Sequence, residues 1–132
     1  MKQQNYQDLK YDQAGDVLDV FFAPNLPVWT IELTDNIMLS IDRKTRRAIR
    51  LTLLDFTELI RPTPFGPRSF PLTGLADLPI HERDLVVKVL TSSPVNQWLD
   101  ISSVQTLPDS PFAVAHLEPL PENVLNALPL AA

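Results

Sequence analysis

A chain of 132 residues has the length of one domain, and its 45% hydrophobic and 20% charged residues place it among ordinary globular sequences rather than disordered ones. A formal charge of −5 excludes a surface that tracks a phosphate backbone throughout, and the lack of cysteine excludes disulfides, thiolate nucleophiles and sulfur-built zinc sites. No apolar run reaches the roughly 18 residues of a membrane span, and the opening MKQQNYQDLK is too polar for an export signal, so a cytoplasmic chain without membrane contact is expected.

The stretch YDQAGDVLDVFF, residues 11–22, sets Asp12, Asp16 and Asp19 at the mouth of an apolar run. A calcium loop needs about six to eight oxygens and a closing glutamate, and this spacing supplies neither. Asp12 stands where a strand ends, Gly15 gives a permissive backbone and Asp16 stands at the turn exit, so the acids read as turn chemistry. From Tyr6 to Ile60 the apolar residues alternate, which predicts a β-meander. Leu18, Val20 and Phe22 share one face; Trp29, Ile31 and Leu33, then Ile37, Leu39 and Ile41, repeat the pattern. In RAIRLTLL the same alternation puts Ile49, Leu51 and Leu53 opposite Ala48, Arg50 and Thr52. A hairpin from about Asn36 to Leu54 turns through DRKTR, with Asp42 bonding the backbone ahead of it.

These cues, Tyr11-Asp12, Asp16-x-Leu18, a strand ending in Asp42, a polar turn and a strand closing on Leu54-Asp55, resemble the domain of unknown function 2283 family. The resemblance covers residues 6–60. It departs in the turn, where that family commonly places a glycine and this chain has DRKTRR, and in the closing strand, where RLTLLD replaces the usual glycine and glutamate. The family is uncharacterised, and some members look like the partner half of toxin-antitoxin gene pairs. What the resemblance implies for function is protein binding and no more.

After Ile60, RPTPFGPRSFPLTG carries proline after proline and predicts a linker over residues 61–75 that crosses the surface extended. An α+β extension, residues 76–132, follows. Leu85, Val86, Val89 and Leu90 fall at helical spacing behind a candidate cap at Asp77, which predicts a helix from about Pro79 to Leu90; the β-branched LVVKVL leaves a strand as the rival. SPVNQWLD predicts a short helical turn capped by Ser93 with Pro94 at its first position. ISSVQTL and FAVAHLE predict strands, and PENVLNALPLAA an apolar tail. The expected fold is one α+β domain, an antiparallel meander with one or two helices and further short strands packed on it.

His81 and His116 share no motif, and neither has a second histidine at helical spacing. There is no Gly-rich phosphate loop and no nucleophile elbow. No metal, cofactor or catalytic residue is therefore assigned. RKTRRAIR gathers Arg43, Lys44, Arg46, Arg47 and Arg50, five of the chain's 11 basic residues. No aromatic residue lies among them to stack bases, so nucleic acid is not the expected ligand, although a contact with nucleic acid or an acidic partner through the turn is one alternative. Another is a small-molecule binder or hydrolase using His116 and a carboxylate. Phe65, Phe70 and Trp98 are expected to dock on the meander. Its second face, with Val17, Phe21, Met38 and Leu54, would stay partly wet. The function expected is a protein-interaction or assembly module, a homodimer joined through the meander, with Phe21, Met38, Arg43, Lys44, Arg46 and Arg47 as candidate contacts to that copy or to another protein partner; the basic turn is otherwise read as a solvated hairpin tip.

Overall fold

The computed structural model describes residues 8–24, 28–61, 63–64, 69–107 and 110–117, the backbone alone for 103–107 and 110–114. Five antiparallel strands, β1 (Asp8–Asp12), β2 (Val17–Phe21), β3 (Val28–Glu32), β4 (Ile37–Asp42) and β5 (Ala48–Leu54), form one sheet in the order β1-β2-β5-β4-β3. A second sheet of three, β6 (Ser69–Pro71), β7 (Leu99–Leu107) and β8 (Ser110–Leu117), runs β6-β8-β7. Helices α1 (Phe56–Leu59) and α2 (Ile80–Leu90) and two 3₁₀ turns, Thr73–Asp77 and Val95–Gln97, complete an α+β fold.

Strands β3, β4 and β5 follow one another as a meander, and the β1–β2 hairpin docks on the far side of β5. The centre thus falls to β5, where Ala48, Ile49, Leu51 and Leu53 are all buried. The inner face carries Leu18, Val20, Phe22, Ile31, Leu33, Ile37, Leu39, Ile41, Leu51 and Leu53, as alternation requires. These join one buried cluster with Val86 and Leu90 of α2, Val95, Trp98, Leu99 of β7 and Ala115 of β8. Each fully buried aliphatic side chain there is worth about 1.5–3 kcal/mol relative to exposure.

In the five-stranded sheet alternation fails between β4 and β5. Ser40 faces Arg50 but Ile41 faces Ala48, so Ile49 is an extra residue, a β-bulge. The slip turns Ala48 into the core cluster and leaves Ile49 buried outside it, the reverse of what period two assigns.

The proline-rich segment is not a plain linker. Ser69–Pro71 pairs with β8, Thr73–Asp77 coils into a 3₁₀ turn, and Phe70, Leu72 and Leu75 are buried. Proline is tolerated there because β6 is an edge strand. Phe70 and Trp98 enter the core cluster as expected; Phe65 and the apolar tail lie outside the described residues.

Residues 80–90 are helical, with Val86 and Leu90 buried. Asp77 does not cap this helix, because it closes the preceding 3₁₀ turn and Pro79 takes the cap position without a side-chain bond. Arg83 reaches back instead, donating to the carbonyls of Leu75 (3.0 Å) and Leu78 (3.1 Å). Nor does Ser93 cap the next turn: Pro94 occupies that position, one residue later than the spacing suggested. No helix among the described residues is long and apolar enough to cross a membrane.

Candidate functional site

The acidic opening folds into a junction. Asp12 accepts the Gly15 amide (3.2 Å) across the β1–β2 turn. Asp16 adopts a left-handed backbone, φ 55°. Its carboxylate accepts the Tyr11 hydroxyl (2.7 Å), the Thr57 hydroxyl (2.6 Å) and the Thr57 amide (3.2 Å), while its carbonyl accepts the Phe56 amide (3.0 Å). The turn is thereby tied to α1, and the Tyr11 ring meets Phe56 edge-on at 6.1 Å. Asp19 is spent on the Thr52 hydroxyl at 2.6 Å. No cluster of metal-binding side chains occurs among the described residues.

The junction has a pH signature. The hydrogen bond to Asp16, then burial and the negative charges of Asp16 and Asp12, push the Tyr11 phenol up to about 12 from an ordinary 10.0. Burial alone would raise the Asp16 carboxyl, but the bonds from Thr57 and Tyr11 outweigh it and hold the group below its ordinary value of 3.8. Tyr11, raised on folding, stabilises fully below its unfolded value and loses that contribution as pH rises through about 12. Asp16, lowered on folding, contributes above its unfolded value and is lost as pH falls through the lowered one. Alkaline titration at the tyrosinate absorbance should show a late transition that vanishes in Tyr11→Phe and moves earlier in Asp16→Asn. The latter change should also cost about 0.5–2 kcal/mol of stability. A Tyr11 transition at the ordinary value would count against the bond.

The outer face of the large sheet holds the apolar residues expected to be wet. Val17, Phe21, Met38 and Leu54 are half-buried and belong neither to the core cluster nor to the residues packed around it. They are interleaved with polar groups. Phe21 lies between the Lys10 ammonium (5.3 Å) and the Arg50 guanidinium (5.8 Å). Met38 stands in register with Thr52 on one side and Glu32 on the other. Most of the polar groups are satisfied laterally: Thr52 donates to Asp19, and Thr30 and Ser40 share a bond of 2.9 Å. Arg50 Nε is the exception, buried without an acceptor among the described residues.

Arg43, Lys44, Arg46 and Arg47 project from the β4–β5 turn, all exposed, and none of their side chains forms an ion pair among the described residues. Asp42 shapes that turn by accepting the Lys44 amide (2.8 Å), and the same bond holds its carboxyl below the ordinary range. Arg46 is left-handed, φ 60°. Sequence proximity hid an aromatic neighbour: Trp29 of β3 lies 5.9 Å beneath the Arg43 guanidinium.

His116 lies half-buried on β8 between two cross-strand neighbours, Ser69 of β6 and Asp100 of β7. No hydrogen bond links the three among the described residues, and the cleft described next lies on the other sheet. That cleft, of about 390 Å³, opens beside β3, lined by Trp29, Thr30, Glu32, Asp35, Thr73 and Asp77 among others. Its far wall is the first 3₁₀ turn, pressed so close that a Cβ on Gly74 would fall 1.7 Å from the Glu32 carbonyl oxygen. None of these lining residues was marked in the sequence as part of a site. A lone glycine after a proline-rich stretch was the one signal of a close approach.

No protein-family model, curated protein or solved structure matches this chain.

Proposed function

We propose that the chain is a protein-interaction module that pairs with a second copy of itself through the outer face of the five-stranded sheet. The observation that carries this reading is the asymmetry of the sheet. Its inner face feeds one buried cluster, whereas Val17, Phe21, Met38 and Leu54 stay half-exposed on the other. The bonds of Thr52 to Asp19 and of Thr30 to Ser40 lower the cost of desolvating that face, because those groups keep their partners when water leaves. A two-fold axis lets one self-complementary patch cover itself. The resemblance of residues 6–60 to the domain of unknown function 2283 family belongs to the same proposal. The left-handed Arg46 supports it, since it lies in the turn where that family commonly has glycine.

Light scattering coupled to size exclusion should return about twice the chain mass at micromolar concentration, and Phe21→Lys should shift the protein toward monomer while leaving it folded. A folded wild-type monomer over that range removes the reading.

A further inference from the structure

We propose that the free edge of β3 is a docking site for an extended segment of another protein, one that bears lysine or arginine and adds to the sheet as a further strand. This edge is a different surface from the outer face, so the two readings are tested separately.

The main chain of β3 carries the first part of the case. β3 is an end strand. The Leu33 amide donates to the Ile37 carbonyl (2.9 Å), and bonded and non-bonded pairs alternate along an antiparallel ladder. The pairs Ile31–Leu39 and Trp29–Ile41 therefore turn their peptide groups toward β4. The other side of β4 agrees: Leu54 donates to the Asn36 carbonyl (2.8 Å), which directs the groups of Met38 and Ser40 to β5 and those of Leu39 and Ile41 to β3. What remains of β3, the N–H and C=O groups of Val28 and Thr30 and the N–H of Glu32, points out of the sheet. Edge strands are ordinarily protected by lysine, proline, a bulge or a cover. The β3 sequence VWTIE has neither lysine nor proline, and its register with β4 is unbroken.

Something does cover one end. The Gly74 amide donates to the Leu33 carbonyl (3.0 Å), and the 3₁₀ turn abuts the Glu32 carbonyl. Beyond that stop no strand among the described residues pairs with the edge, and the turn stands off to form the far wall of the 390 Å³ cleft. The space has the shape of a slot beside a strand, with room for a few residues of one extended chain.

The rim chooses the occupant. Glu32, Asp35 and Asp77 line the slot, all exposed. The nearby Arg83 keeps its positive charge but does not line the slot, and its guanidinium donates to the carbonyls of Leu75 and Leu78. A segment that pairs with Thr30 must present alternate side chains to these carboxylates, which suits lysine or arginine. A second copy fits poorly. The other edge strand of this sheet, β1, reads DLKYD and would bring Asp8 and Asp12, with only Lys10 between them, to an acidic rim, and the chain's basic cluster sits in a turn rather than a strand.

The test uses the full chain and a short capped peptide alternating threonine and lysine, followed by amide chemical shifts. Thr30 and Glu32 amides should shift on titration. The same peptide N-methylated on alternate backbone nitrogens should bind at least about tenfold more weakly, the worth of one lost hydrogen bond. A glutamate counterpart should be weaker by a similar factor at low salt. Thr30→Pro removes an outward N–H that β4 does not use, and should weaken binding at least about tenfold. Ser40→Ala, which removes only the hydroxyl partner of Thr30, should bind as wild type. Unmoved Thr30 and Glu32 amides, indifference to N-methylation, or equal binding of the lysine and glutamate peptides would overturn the proposal. So would protection of those amides that grows with protein concentration without peptide, since a second copy would then hold the edge.

Discussion

Gly74→Ala is expected to lower stability by about 3 kcal/mol or more, toward the top of what one added methyl does in a packed protein. Glycine-to-alanine changes at open positions usually stabilise by about 0.4–1 kcal/mol, through the unfolded chain. Here the sign reverses, and the cause is contact rather than torsion, for Gly74 is not in the left-handed region. The new methyl would meet backbone, at 1.7 Å from the Glu32 oxygen and 2.9 Å from its carbon, and backbone cannot rotate aside as a side chain can. The turn must lift off β3. Lifting it breaks the bond from Gly74 to Leu33 and pulls on Leu72 and Leu75, both buried. Urea unfolding monitored by tryptophan emission measures the loss. A change within about 0.5 kcal/mol would show that the turn does not press on β3.

Phe70→Ala should cost about 3–5 kcal/mol, the usual loss for a buried ring. Phe70 is 8% exposed and stands in register with Ala115, which is fully buried beneath the same cluster. Alanine opposite alanine would leave a void where β6, three residues long, meets β8. Ile80 supplies the control: at 63% exposure, Ile80→Ser should change stability by about 0.5 kcal/mol or less. Equal, small effects at both sites would mean that the segment from Ser69 to Pro71 crosses the surface without packing.

The strands were legible because burial on one face writes period two into the chain, as at Leu18, Val20 and Phe22 or Ile37, Leu39 and Ile41. Alternation says which residues face inward but not which strands touch, so the place of β5 between β2 and β4 was not readable. Ile49 was assigned to the wrong side because a bulge exists only relative to a partner strand; its own neighbours look regular. Helix α1 is a single turn entered through the left-handed Asp55, held by Asn36 from the β3–β4 turn (3.0 Å), and too short to carry a period of its own. The turn-forming roles of Asp12 and Asp42 followed from local chemistry and are present. That Asp16 would collect Thr57 was not local at all, nor was the meeting of residues 29–35 with 73–78 that makes the cleft.

The Asp16 junction also bears on the order of events as the chain folds. Its bond to Thr57 spans 41 residues, and α1 follows β5 directly, so the carboxylate, which meets Tyr11 within its own hairpin, finds Thr57 only once β5 lies against β2. Closing so long a loop is entropically costly, and the interactions that reward it come late. An interaction absent from the transition state slows unfolding without hastening folding. Asp16 thus governs how long the finished sheet lasts rather than how soon it forms.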